Sequence, residues 1–115
     1  MTHIELTGAP LSIETINQVA YANSESIQLT LASECQKKIL KARKYVDEII
    51  QSNKVVYGIN TGFGALASTS IPKDQLTELQ YNLIRSHCTG VGEAFSIPIV
   101  RTIMLLRAHC LTQGF

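Results

Sequence analysis

The chain has 115 residues, with ten basic and nine acidic side chains and a net charge of +1. That length suits one domain able to bury roughly two thirds of its unfolded surface, and a composition 45% hydrophobic and 17% charged excludes a disordered chain. The low charge points to apolar surface meant for a partner, and the lack of a basic tract leaves nucleic-acid binding without electrostatic support.

In chain order, His3 to Leu6 alternates polar and apolar and suits a short strand, broken by Gly8 and Pro10. Ser12 is placed to cap a helix running to about Ala22, with Ile13, Ile16, Val19 and Ala20 on one face. Asn23 to Ser26 reads as a turn and Ile27 to Leu29 as a second strand. Thr30 or Ser33 then opens the clearest helix. Leu31, Cys35, Ile39, Ala42, Val46 and Ile49 recur at steps of three and four, and Gln51, Ser52 and Asn53 end it.

Lys54 to Val56 is short and β-branched, so a strand is expected there, leading into the glycine-rich run YGINTGFG at 57–64. Polar coil follows to about Ile71. Pro72 suits the first turn of a third helix, with Leu76, Leu79 and Leu83 as its stripe, and Gly90 and Gly92 end it. Pro98 opens a fourth helix through about Leu111, apolar most of the way round. Such a helix is buried on several sides. In so small a domain the expected cover is another subunit or further chain. The whole is a small, mainly α domain of about four helices, with short strands near the N-terminus and before the glycine loop.

The start MTHIELTGAP lacks a basic region followed by an apolar stretch, so no secretory leader is expected. Arg101 and Arg107 interrupt the longest apolar stretches, so no membrane helix is expected. Cys35, Cys88 and Cys110 are odd in number, widely spaced and form no CxxC pair. Free thiols in a reducing cytoplasm are expected, with no disulfide or metal site.

Two segments are candidates for chemistry. In the first, Gly58, Gly62 and Gly64 permit backbone angles and close approaches that other residues resist. On spacing alone this is a turn after a strand. No Gly-Lys-Ser/Thr ending makes it a phosphate loop. Tyr57 in isolation reads as a half-buried strand-end tyrosine. The second segment is NLIRSHCTGVG, 82–92. His87 continues the Leu83 stripe, either as a hydrogen-bonded core histidine or as a helix-end histidine facing a pocket, where its titration range suits proton handling or recognition of a polar ring. Arg85, Arg101 and Arg107 are able to bind a carboxylate, although a structural ion pair is the expected use of each.

The run YGINTGFG, then NLIRSH some twenty residues later, then GVG, resembles the histidine ammonia-lyases of the aromatic amino acid lyase superfamily. The resemblance covers essentially the whole chain, and the eight-residue run is its most specific part. It implies elimination of ammonia from histidine to give trans-urocanate, on a methylidene-imidazolone (MIO) electrophile built from an internal Ala-Ser-Gly. Tyr57 matches the loop tyrosine assigned as general base or proton relay. A phenol with pKa about 10 needs help from neighbours to act so near neutral pH. The loop glycines would let the loop close over substrate and let backbone approach Tyr57. His87 matches a histidine near the substrate side chain. The pair Ser86-His87 resembles histidine lyases, whereas phenylalanine lyases tend to carry Phe-Leu-like pairs and tyrosine lyases His-Leu. Asn82 and Leu83 are further pocket-side candidates.

The chain departs from the family pattern in one way that matters. Ala32-Ser33 precedes Glu34 and Ala67-Ser68 precedes Thr69, so no Ala-Ser-Gly is present. The cofactor precursor is expected just beyond Phe115. The chain is therefore expected to be an inactive N-terminal domain of a lyase of several hundred residues, working as a cytoplasmic homotetramer, with the Tyr57 loop mobile or misplaced in its absence. The alternatives are an MIO-dependent tyrosine ammonia-lyase or aminomutase and, in a different class, a helical protein-interaction module.

Overall fold

The computed structural model describes residues 1–23, 25–52 and 54–115. Ser24, assigned to a turn, and Asn53, assigned to a helix end, lie outside the described residues. The elements in order are β1 (Thr2–Leu6), α1 (Ile13–Tyr21), β2 (Ile27–Leu31), α2 (Ser33–Gln51), α3 (Leu76–His87) and α4 (Ile97–Leu111), with 3-10 turns at Gly64–Leu66 and Lys73–Gln75. The mainly helical class is as expected. The residues form two compact units, one of Met1–Arg43 with Glu93–Phe115, the other of Lys44–Gly92. Among the described residues, no helix is long and apolar enough to cross a membrane.

In the first unit β1 and β2 pair in parallel, from Thr2 opposite Ile27 to Leu6 opposite Leu31. Parallel neighbours need a crossover, and α1 supplies it, packing on α4. Ser12 caps α1 as expected, its hydroxyl accepting the Thr15 N–H at 3.1 Å. Glu14 in the first turn has its carboxyl held below the ordinary value, first by a hydrogen bond from its own main-chain N–H and then by one from Ser12. Leu6, Val19 and Leu105 form the buried centre, flanked by Ile4, Leu11, Ile16, Ile27 and Leu31. Ile13, expected on the buried face of α1, is exposed. It sits at the helix start, before the stripe turns inward.

β2 runs two residues further than expected, taking in Thr30 and Leu31. Leu31 therefore faces its strand partner Leu6 and does not begin the α2 stripe. The ladder continues through the Ala32 N–H to the Leu6 carbonyl at 3.0 Å, which holds this stretch extended until Ser33. From there the predicted stripe holds. Cys35 and Ile49 are buried and Ile39, Ala42 and Val46 half-buried. All three cysteines are free thiols.

α4 begins one residue before Pro98 and exposes much of its apolar surface, including Ile97, Ile99, Ile103 and Met104, while Leu105 is 2% exposed. Arg101, expected to form an ion pair, instead donates to the main-chain carbonyl of Ala22. A neutral acceptor at the open end of α1 serves there, because that carbonyl has no partner within its own helix.

Candidate active site

In the second unit α2 ends at Gln51, where Ser52 folds back on it. The Ser52 N–H donates to the Glu48 carbonyl at 2.9 Å and the Ser52 hydroxyl to the Ile49 carbonyl at 2.9 Å. The strand expected over Lys54–Val56 does not form. Two of its main-chain groups are taken by one side chain. The Val56 N–H donates to Oδ1 of Asn60 at 2.8 Å, and Nδ2 of Asn60 donates to the Lys54 carbonyl at 2.7 Å. A single carboxamide thus does the work of a strand partner.

The chain then turns over on itself. The Ile59 and Asn60 N–H groups donate back to the Val56 carbonyl at 3.1 and 3.3 Å, which lifts Tyr57 and Gly58 to the outside of the turn. Gly58 carries φ +79°, in the left-handed region where a side chain is strained. Below this tip the loop is closed. Thr61 is fully buried and bridges antiparallel to Ser70, the Gly62 N–H donates to the Thr69 carbonyl at 3.1 Å, and the Ile71 N–H donates to the Asn60 carbonyl at 2.9 Å. The polar coil expected after the loop contains the 3-10 turn Gly64–Leu66 within this closure.

The glycines divide their roles. Gly58 and Gly64 have positive φ with open space around them. Gly62 is the position of close approach: a Cβ there would lie 2.6 Å from Leu66 Cβ and 2.9 Å from the Leu66 carbonyl oxygen. The approach expected toward Tyr57 is therefore made to Leu66. The loop expected to be mobile or misplaced is tied along its base by main-chain hydrogen bonds.

Tyr57 is 62% exposed, its ring edge-on to Phe63 with centroids 5.9 Å apart. Such an aromatic pair contributes about 0.5–1.5 kcal/mol and fixes ring direction. Among the described residues the Tyr57 hydroxyl has no hydrogen-bond partner, so its oxygen is available to an incoming molecule.

α3 carries the other candidates on its last two turns. Pro72 precedes a 3-10 turn, so the α-helix starts at Leu76, later than expected, and it ends at His87, short of Gly90. Leu76, Leu79 and Leu83 are half-buried, which confirms the stripe, but His87 lies beyond it and is exposed. His87 is thus not a buried core histidine.

His87 Nδ1 lies 2.8 Å from the Leu83 carbonyl and 3.0 Å from Ser86 Oγ, and that hydroxyl itself donates to the Leu83 carbonyl at 2.8 Å. A carbonyl oxygen only accepts, so the proton of the neutral ring belongs on Nδ1. Nε2 is left as a bare acceptor on an exposed ring. The Nδ1 bond ties the ring back to the carbonyl four residues earlier in the same helix.

Asn82 is exposed, its Oδ1 accepting from Arg85 at 3.3 Å, and the Arg85 guanidinium stands 5.7 Å from the Tyr81 ring centre. The expected ion pair of Arg85 is replaced by these two neutral contacts. Leu83 contributes its carbonyl, while its side chain packs inward.

Tyr57 and the α3 residues are not brought together by any hydrogen bond or ring contact among the described residues. A cleft of about 270 Å³ in this unit is lined by Ile50, Asn60, Ser70, Ile71, Pro72, Lys73 and Leu76, and of the loop 57–64 it takes only Asn60. Asn60 and Thr61 are the two residues that sequence reasoning passed over. A polar Asn-Thr pair set in an otherwise apolar and glycine-rich run was the available signal.

Residues 11–115 match the aromatic amino acid lyase family. The chain belongs to that family. Its curated relatives include the histidine ammonia-lyase of Clostridium tetani, 44% identical over 110 residues, 96% of this chain and 21% of that protein. Ergothionase from Treponema denticola, an ergothioneine-degrading enzyme, superposes with a TM-score of 0.89 at 32% identity, over 98% of this chain and 22% of its own. A tyrosine aminomutase from Streptomyces globisporus does so at 0.85 and 31%, over 98% and 21%. The chain therefore spans about a fifth of the length of the lyase-family relatives it matches. Of its two Ala-Ser pairs, Ser33 opens α2 and Ser68 lies just beyond the 3-10 turn Gly64–Leu66, and neither is followed by glycine. These residues do not fit an MIO precursor, and no chemical step is assigned to that group within this chain.

Proposed function

We propose that this chain is the N-terminal part of an ammonia-lyase that converts L-histidine to trans-urocanate and ammonium, and that it presents Tyr57 and His87 to the substrate. The observation that carries this reading is the construction of the loop. Its base is hydrogen-bonded between Lys54 and Ile71 around the buried Asn60 and Thr61, and its tip holds an exposed tyrosine with an unengaged hydroxyl. A loop that served only as a turn would not need a fully buried threonine and a two-ended asparagine clamp beneath one exposed phenol.

In this reading Tyr57, acting as the phenolate, takes the β-proton and becomes the neutral phenol as the amino group leaves, general-base work for which a positioned side chain typically contributes about 10²- to 10⁴-fold. Asn82 and Ser86 line the substrate side. His87, with its proton held on Nδ1, offers Nε2 to a ring N–H. An imidazole substrate carries such a donor. Phenylalanine has none, so the unpaired acceptor would count against it. The MIO electrophile would come from residues outside this chain, so the 115 residues alone are inactive. The exposed apolar residues of α4 are covered by the rest of a homotetrameric, cytoplasmic enzyme.

The tyrosine aminomutase likeness supports one second reading, because a phenol O–H would also donate to Nε2. Identification of the product by the longer protein decides between them. Urocanate from histidine with no turnover of tyrosine supports the first, whereas coumarate or β-tyrosine from tyrosine with histidine untouched supports the second. Failure on both refutes the histidine and tyrosine assignments alike and leaves only the family membership.

A further inference from the structure

Asn60 is 6% exposed, and both ends of its carboxamide are used on one short stretch of chain. Oδ1 accepts from Val56 N–H at 2.8 Å and Nδ2 donates to the Lys54 carbonyl at 2.7 Å. Its main chain adds two more bonds, to the Val56 carbonyl at 3.3 Å and from the Ile71 N–H at 2.9 Å. One residue thus holds both the strand-like entry to the loop and its exit. Val56 is the residue before Tyr57, so the Asn60 amide sets the direction in which the backbone reaches the phenol.

The chemistry asks for an amide of this length. The Lys54 carbonyl needs a donor and the Val56 N–H an acceptor, and a carboxamide supplies one of each from a rigid plane. A carboxylate has no donor when ionised. A serine hydroxyl has a single oxygen for two groups two residues apart.

We infer that Asn60 is a positioning residue for Tyr57: its buried carboxamide orients the loop so that the phenol stands where the substrate's β-proton is removed. This rests on the reading of Tyr57 as the base. A displacement of about 1 Å in a reacting group is enough to cost up to ~10²-fold in rate, and the clamp acts one residue away from that group.

The test is a double-mutant cycle in the longer, active lyase, with kcat and KM measured for histidine. Asn60→Asp keeps the acceptor and, when ionised, loses the donor. It is expected to lower kcat by about tenfold or more with KM within ~2-fold. The ratio of variant to wild-type kcat should rise as pH falls, because a buried carboxyl has a raised pKa and once protonated can donate to the Lys54 carbonyl again. In a Tyr57→Phe background the same change should cost less than ~2-fold, since the group it positions is gone.

An equal cost in both backgrounds, or a kcat ratio flat with pH, overturns the inference and leaves Asn60 as a fold residue. A Tyr57→Phe variant with wild-type kcat sinks the base reading itself, and with it the inference, through a different observable. Should Asn60→Asp fail to fold, amide exchange in the unaltered chain still decides. The Val56 N–H is expected to exchange at least ~100-fold slower than in an unstructured chain, and exchange at the unstructured rate overturns the clamp.

Discussion

Gly62→Ala isolates the part of the loop where the structure leaves no room. The new Cβ would lie 2.6 Å from Leu66 Cβ and 2.9 Å from the Leu66 carbonyl oxygen. Carbon atoms in contact settle at about 3.5–4.0 Å, so one side must move by about 1 Å. The obstacles are a Cβ and a main-chain oxygen, which no rotamer change can withdraw. The Gly62 N–H to Thr69 carbonyl bond at 3.1 Å and the 3-10 turn at Gly64–Leu66 therefore shift together. Overpacking of this kind typically costs 1–3 kcal/mol, a fall in Tm of at least ~4 °C on the scale of small domains. Because the strain sits within the loop, activity should fall further than stability, by roughly 10- to 100-fold in kcat of the longer enzyme. Gly58→Ala is the control: it meets nothing within 4 Å, and its cost is the φ of +79° alone, roughly 1–2 kcal/mol. Thermal melts of the chain, alongside histidine turnover by the longer enzyme, read both effects. A Gly62→Ala variant with wild-type Tm and kcat would refute the close-packed loop.

Other outcomes follow from single residues. His87→Leu is expected to leave Tm within about 2–4 °C, as for most exposed positions, while lowering kcat/KM for histidine about tenfold or more through the lost acceptor; a variant that unfolds would make His87 a structural residue. Leu105→Ala removes one of the three residues at the centre of the first unit and should cost about 2–5 kcal/mol in a urea melt; a loss under ~1 kcal/mol would mean the unit is not built on that contact. Glu14 has its carboxyl held below its ordinary value, so the stability it adds is present above the unfolded pKa and is lost as pH falls through the lower folded one. Glu14→Gln should flatten the acid side of the stability–pH curve in that window, and an unchanged curve would show that the main-chain and Ser12 hydrogen bonds to Glu14 add no stability.

What was legible in the sequence was local. The Ser12 cap, the Cys35-to-Ile49 stripe and the Leu76-Leu79-Leu83 stripe are decided within a few residues of chain, and the structure keeps all three. The errors lie where a distant partner decides. Thr30 and Leu31 suit a helix start by residue type, but pairing with Glu5 and Leu6 draws them into β2. Lys54–Val56 has strand composition, but the Asn60 side chain takes the Lys54 carbonyl and the Val56 N–H that a second strand would have used. In the candidate site the loop and the helix end were both visible as motifs. The exposure of His87 and the clamp role of Asn60 were not, because one depends on where α3 stops and the other on a side chain folding back four and six residues.

In the proposed reading the loop exists to present Tyr57 for proton removal. Its most direct test is urocanate formation from histidine by the longer enzyme, measured side by side for wild type and Tyr57→Phe. The account predicts turnover by the wild type and a kcat at least ~10²-fold lower in the variant, with histidine still bound. Equal rates for the two proteins would contradict it.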